Sequence, residues 1–303
     1  MLNFLIMAGI YSILSLSLNL LIGYVGVFSL SHAALFGIGA YVSALTVKEL
    51  HLPWLLAVLG AVLVTGIAGS LVAGPALRIA GDYYVVASYA LQVIAYAAFV
   101  NLTEITQGPA GLPGIPRPEI FGFRVAGPVP YLVLTAACVL LALGVVWRVA
   151  HSPFGRVLRA VSEDEVAVMA LGKDVVGAKV KVAMVSAALA GMAGSLYAHY
   201  VTFVNPSSFT ADESVFIATL VIVGGTGSVW GSILGALTLT ALPEAIKVLP
   251  VPLSVVGPLR QLLYGVLLVA FMFLRPQGLL GRSPSRTLRK PTPQVAGTPE
   301  VEV

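Results

Sequence analysis

Charge is what this 303-residue chain has least of. Asp, Glu, Lys and Arg make up 10% of it, against 58% hydrophobic residues and a mean hydropathy of +0.96. A soluble domain carries about 25% charged residues, so readings as a soluble enzyme or soluble binding module start far behind. Cysteine is almost missing too. Cys138 stands alone in an apolar run, which excludes an intrachain disulfide and a cysteine-based metal centre and leaves a small buried hydrophobe. Four histidines lack ligand spacing, and no Ser-His-Asp order suggests a hydrolase or another membrane-embedded enzyme. None of the 13 acidic residues falls in the middle of an apolar run, which counts against an ion-coupled secondary transporter with intramembrane carboxylates. No Lys or Arg precedes Lys48, so the basic n-region of a cleaved signal peptide is lacking and the first apolar run reads as a retained span.

What the chain has in abundance is long apolar runs without strand-period alternation. They predict an all-α, polytopic transmembrane bundle, because helices satisfy their own backbone groups in lipid. Nine crossings are expected: Asn3 to Ile22, Leu30 to Thr46, Trp54 to Ala73, Tyr83 to Asn101, Tyr131 to Val149, Lys181 to Phe203, a short Val215 to Val223, Val229 to Ile246, and Leu259 to Leu274. The net charge of +4 does not point to nucleic acid, since the basic residues lie in short segments between these runs. Eleven of the 17 basic residues fall either between Arg148 and Lys181 or in the tail from Arg275 to Lys290. Both regions are therefore expected in the cytoplasm, four crossings apart, with the N-terminus outside. The turn around Arg78 then falls inside and the Gly/Pro-rich loop from Leu102 to Pro130 outside. That loop is long enough to be functional or exposed to a partner. Residues 1–281 are expected to form one transmembrane domain, and the polar tail 282–303 is expected to be disordered, with its cations near anionic lipid headgroups.

Two segments break the helical pattern with small residues. One is Gly23-Tyr24-Val25-Gly26, leading into Ser29-Leu30-Ser31-His32 and Gly37-Ile38-Gly39; the other is Gly224-Gly225-Thr226-Gly227-Ser228. Paired glycine interruptions can mark a translocation pathway. Tight packing at the first and a plain turn at the second are the alternatives. The second is not an ATP site, because no Lys-Ser/Thr ending follows it. In the sixth run Ala183, Ala187, Gly191 and Ser195 recur at every fourth position beside Ser186, Ala190, Gly194 and Ala198. Such stripes suit close packing inside the bundle or the lining of a pore. His32 is either a functional intramembrane residue or one satisfied by Ser29 and Ser31, and Gln92 is a further polar candidate.

The basic loop carries a pattern of its own. After Ser152-Pro153-Phe154, Ser162 is expected to cap a short helix with Glu163, Asp164 and Glu165 in its first turn. Val166, Met169 and Ala170 give that helix an apolar face, and Leu171-Gly172 ends it. It reads as an ordinary interfacial helix or as one that docks into the groove of a soluble partner.

Here the sequence resembles the LivM-type permeases of branched-chain amino acid ABC importers. Gly155, Arg156, Leu158, Arg159, Ala160, Asp164, Glu165, Ala167, Ala170, Leu171 and Gly172 match that family's cytoplasmic loop, G-R-x-L-R-A-x-x-x-[DE]-E-x-A-x-x-A-L-G. Gly23 to Gly26 with Ser29 to Ala33, Gly81-Asp82-Tyr83-Tyr84, Gly108 to Pro116 and Arg275 to Gly281 are also similar to it. The family commonly has a Gly-Glu pair where this chain reads Leu91-Gln92. The resemblance implies an inner-membrane, multi-pass permease without covalent chemistry of its own. It implies a second, paralogous permease chain, two cytoplasmic ATP-binding subunits that use the ATP, and an external solute-binding protein. No cofactor is expected on this chain itself. Gly155, Arg156, Arg159, Glu163, Asp164, Glu165, Ala167, Ala170 and Gly172 would form the coupling surface, and Ser29, Ser31, His32 and Gln92 are pathway candidates. Leucine, isoleucine and valine are the implied cargo, with urea or short amides as the alternative.

Overall fold

The computed structural model describes residues 1–76, 83–120, 122–246, 253–274 and 278–280. The expectations for Arg78, Gly81-Asp82, Arg275 to Gln277, Gly281 and the tail lie outside the described residues. The long helices follow the apolar runs: α1 (Leu2–Ile22), α2 (His32–Lys48), α3 (Trp54–Ala76) and α4 (Tyr83–Asn101). A short α5 (Thr103–Thr106) precedes α6 (Pro128–His151). The basic loop folds as α7 (Pro153–Glu163) and α8 (Glu165–Ala170), and α9 (Val175–Val201), α10 (Ala211–Gly224), α11 (Val229–Ile246) and α12 (Leu253–Leu274) complete the set. Among the described residues six stretches are long and apolar enough to cross a membrane: α1, α3, α4, α6, α9 and Pro206–Gly224. The short seventh run thus lengthens at its start, where a 3₁₀ turn at Pro206–Ser208 leads into α10. Helix α2 has 17 residues, and the apolar stretches Val229–Pro243 and Gly257–Phe271 are also shorter than a full span.

Helices α1 and α9 form the centre. From Ser12 to Leu21 every residue of α1 is buried, and α6, α9, α10 and α11 surround it. The small-residue stripes of α9 do the packing, as the spacing predicts. A Cβ at Gly39 would collide with the Gly191 backbone, and one at Gly194 with the backbone of Phe36 and Ala40. Backbones this close bury α2 against α9 almost all round, and α3 covers α9 on another side. Helices α4 and α6 instead expose large apolar side chains such as Ile94, Val133 and Leu140, the distribution expected of lipid-facing helices. Cys138, on α6, is free and half-buried.

The loop expected from Leu102 to Pro130 is more ordered than its Gly/Pro content suggests. Strand β1 (Leu112–Pro113) pairs antiparallel with β4 (Phe203–Val204), and β2 (Glu119–Ile120) with β3 (Phe123–Arg124). The Pro116 carbonyl lies 2.7 Å from His199 Nδ1, and His199 Nε2 lies 3.0 Å from Ser43 Oγ. The segment is thereby tied across the ends of α9 and α2.

Candidate functional site

The glycine segments and the basic loop meet at the opposite end of the bundle. Gly23, just past α1, abuts Gly227 so closely that a Cβ would overlap the Gly227 nitrogen. Asn19, fully buried on the last turn of α1, clamps the same turn. Its Nδ2 donates to the Ser228 carbonyl at 3.0 Å, and its Oδ1 accepts from Gly227 N at 2.8 Å. Gly26, with a φ of +77°, leaves room for Ser162 at the end of α7. The stretch 278–280 closes the cluster: Leu279 N donates to Val223 O at 2.9 Å and Leu280 N to Gly224 O at 3.0 Å. Carbonyls that the end of α10 would leave unpaired are thus satisfied from the far end of the chain. The two glycine segments, the basic loop and residues 278–280 form one junction.

Within the loop, the cap differs from expectation. Ser162 does not start a helix; it lies in the last turn of α7. That helix starts earlier because Ser152 Oγ accepts from Gly155 N at 3.1 Å, and the Pro at the first helical position suits that start. Asp164 then breaks α7 and caps α8, its Oδ1 accepting from Ala167 N at 2.9 Å. Gly172, at φ +73°, ends the unit.

The expected coupling residues divide into two sets. Gly155 is buried against the Val149 and Ala150 carbonyls. Arg159 turns inward: its guanidinium donates to the Gly155 and Ala150 carbonyls and lies 5.9 Å from the centre of the Tyr24 ring. Glu165 pairs with Lys179 at 2.7 Å, joining α8 to the foot of α9, where Lys179 is buried. These residues fasten the loop to the bundle. Arg156, Glu163, Asp164, Ala167, Ala170 and Gly172 are exposed. Beside them Val166, Met169 and Leu171 stand 71%, 48% and 79% exposed, while Val168 anchors the short helix from beneath. The apolar face read from the sequence points to solvent.

The pathway candidates gather around the start of α2. Ser29 and Ser31 do not hold His32 as the sequence allowed. They bond each other at 3.1 Å, and the imidazole Nε2 instead lies 2.7 Å from Ser17 Oγ on α1. Since Ser17 Oγ donates to the Leu14 carbonyl, it accepts from His32 Nε2–H, which leaves Nδ1 as a buried acceptor without a recorded partner. Gln92 Oε1 accepts from Ala34 N and Ser214 Oγ, and its Nε2 donates to Phe209 O. Ser29 and Ser31 border a cavity of ≈ 10 Å³ with Tyr84, Leu91 and Ala183. That is room for about one water.

Sequence reasoning passed over Asn19, Ser17, Phe209, Ser214 and Lys179. A signal existed for the first two, because Ser15, Ser17 and Asn19 alternate through an otherwise apolar run. Phe209 and Ser214 offered none, since their importance comes from partners in α2 and α4.

The chain matches, over residues 1–272, the family described as the permease component of the branched-chain amino acid transport system. It is 35% identical over 297 residues to the high-affinity branched-chain amino acid transport system permease protein LivM of Salmonella typhimurium, a match covering 90% of this chain and 68% of that protein. A probable LivM permease of Methanocaldococcus jannaschii is 27% identical over 95% of this chain and 96% of its own length. The LivH permease of S. typhimurium is 24% identical over 93% and 94%. No solved structure gives a significant match. With a bundle of apolar helices and a family match running almost end to end, this chain belongs to the permease components of branched-chain amino acid transport systems.

Proposed function

We propose that this chain is the membrane-spanning permease subunit of an ATP-driven importer for branched-chain amino acids, working in the inner membrane. The observation that carries the coupling half of this reading is α8. A short helix that, with its C-cap Leu171, turns three large apolar side chains to solvent is costly to leave uncovered, and it suits the groove of a soluble partner. Its anchoring through Gly155, Arg159 and the Glu165–Lys179 pair lets a push on α8 reach α9 and the glycine junction as one body.

In this reading two cytoplasmic ATP-binding subunits hydrolyse ATP, bind α7–α8, and shift the bundle between outward- and inward-facing states. An external solute-binding protein delivers leucine, isoleucine or valine, and a paralogous permease completes the pore. Similarity to both LivM and LivH relatives supports the paralogous pair. The nine-crossing arrangement with an external N-terminus is supported by the basic loop and the 278–280 stretch meeting at one end. Chemistry on this chain is confined to binding and conformational change. Ser29, Ser31 and His32, at the start of a helix set inside the bundle, and Gln92, which bonds that start from α4, are the residues nearest a route.

The test is co-purification and uptake. Replacing Val166, Met169 and Leu171 together by serine should abolish recovery of the ATP-binding subunits in mild detergent while leaving membrane insertion intact. Undiminished recovery would remove α8 as the docking element. Uptake by wild-type vesicles without ATP would replace the importer by a secondary transporter.

A further inference from the structure

Gln92 sits in the middle of α4 and is fully buried, although much of that helix is exposed through Val86, Tyr89, Val93 and Ile94. All its hydrogen bonds leave α4. Its carbonyl oxygen accepts from Ala34 N at 2.7 Å and from Ser214 Oγ at 3.1 Å, and its amide nitrogen donates to the Phe209 carbonyl at 2.7 Å. Ser214 Oγ in turn accepts from Ala33 N at 2.9 Å. The first turn of α2 has N–H groups with no partner within the helix, and Ser31 supplies no side-chain cap. Two of those groups find acceptors on α10 and α4 instead.

The other end of the amide fixes Phe209. Its ring is surrounded by Phe36 at 5.3 Å, Tyr41 at 6.0 Å, Phe99 at 6.0 Å and Tyr197 at 6.1 Å between centroids. This aromatic cluster fills the space where α2, α4, α9 and the approach to α10 meet. Gly37 allows it, since a Cβ there would overlap the rings of Phe99 and Phe209.

We propose that Gln92 is a positioning residue that locks the start of α2 to the Phe209 plug, and that it governs transport without contacting the transported molecule. The transport part rests on the importer reading above; the locking part does not. The chemistry requires one group that donates and accepts at once. An amide does so at any pH, a protonated carboxyl does so as well, an ionised carboxylate only accepts, and a leucine does neither. Among the described residues the titratable groups on the elements packed around it include His32, Tyr41 and Lys48 on α2, Tyr84, Tyr89 and Tyr96 on α4, Glu104 on α5, and Asp212 and Glu213 on α10. Glu213 accepts from Tyr11 Oη at 2.6 Å, and His32 bonds Ser17. Among the described residues the recorded partners of the Gln92 amide are Ala34, Ser214 and Phe209.

The experiment compares wild type, Q92L and Q92E in the reconstituted importer, measuring the initial rate of ATP-driven uptake. Q92L should fall by about ten-fold. A protonated carboxyl both donates and accepts and a carboxylate only accepts, so across about pH 5.5 to about pH 9 Q92E should match wild type at the acid end and lose activity once it ionises. Wild type should not lose activity in parallel. A Q92L variant with wild-type rates, or a Q92E variant that is inactive throughout, overturns the proposal. Hydrogen exchange over residues 29–36 and 205–214, read against wild type at each pH, reports the same lock without any transport. Failure of wild-type uptake with a pH-dependent lock would sink the importer reading and leave the lock standing.

Discussion

Single polar side chains hold the functional ends of this bundle, and two of them make sharp predictions. Asn19 spans the gap between α1 and the 225–228 turn with a donor and an acceptor. Asn19→Ala removes the acceptor of Gly227 N and one of the donors to the Ser228 carbonyl, which keeps Ser232, in a part-buried junction, and should cost about 1 kcal/mol. Thermal unfolding of the purified protein in detergent checks this, and an unchanged midpoint would show that the turn finds other partners. Asp164 carries an acidic charge and a helix cap together. Asn caps as well as Asp, so Asp164→Asn should keep ATPase association, whereas Asp164→Ala should weaken it by loosening α8 by about 1 kcal/mol. If both variants weaken association equally, the charge and not the cap is what the partner reads.

Elements transmit what residues fasten. Helix α8 is joined to α9 by the Glu165–Lys179 pair, and α9 packs its small stripes on α2 and α3. Removing either partner should lower the amount of amino acid moved per ATP hydrolysed, and the swap Glu165→Lys with Lys179→Glu should recover much of it. A double-mutant cycle on that ratio is the measurement, and a swap no better than the single changes would remove the strut. The helical runs, the burial of α9 and the apolar face of α8 were legible in the sequence, because each depends on spacing along one helix, whereas the count of nine crossings meets six stretches long enough to span among the described residues. The caps at Ser152 and Asp164 were misread as a single start at Ser162, since several capping residues lie close together there and only packing chooses among them. The partners of His32 and Gln92 were not legible at all. They come from α1, α2, α10 and the Phe209 segment, up to 122 positions away in the chain.

At the scale of the whole molecule the two ends are chemically distinct. One carries the paired strands β1–β4 with the 108–116 segment; the other carries the glycine junction and the basic loop. With Cys138 replaced by serine, a single cysteine at Phe123 should react with an impermeant thiol reagent in intact cells. One at Met169 should react only after the membrane is opened. The reverse pattern would invert the proposed orientation.

The return of residues 278–280 to the end of α10 also sets an order of assembly. The Val223 and Gly224 carbonyls accept from Leu279 and Leu280, which the ribosome adds after every helix described here. A nascent chain can therefore insert all its spans and still lack a finished junction. Because the same junction seats the basic loop through Gly26 and Ser162, a product truncated before residue 278 is expected to be membrane-inserted with that loop less firmly held.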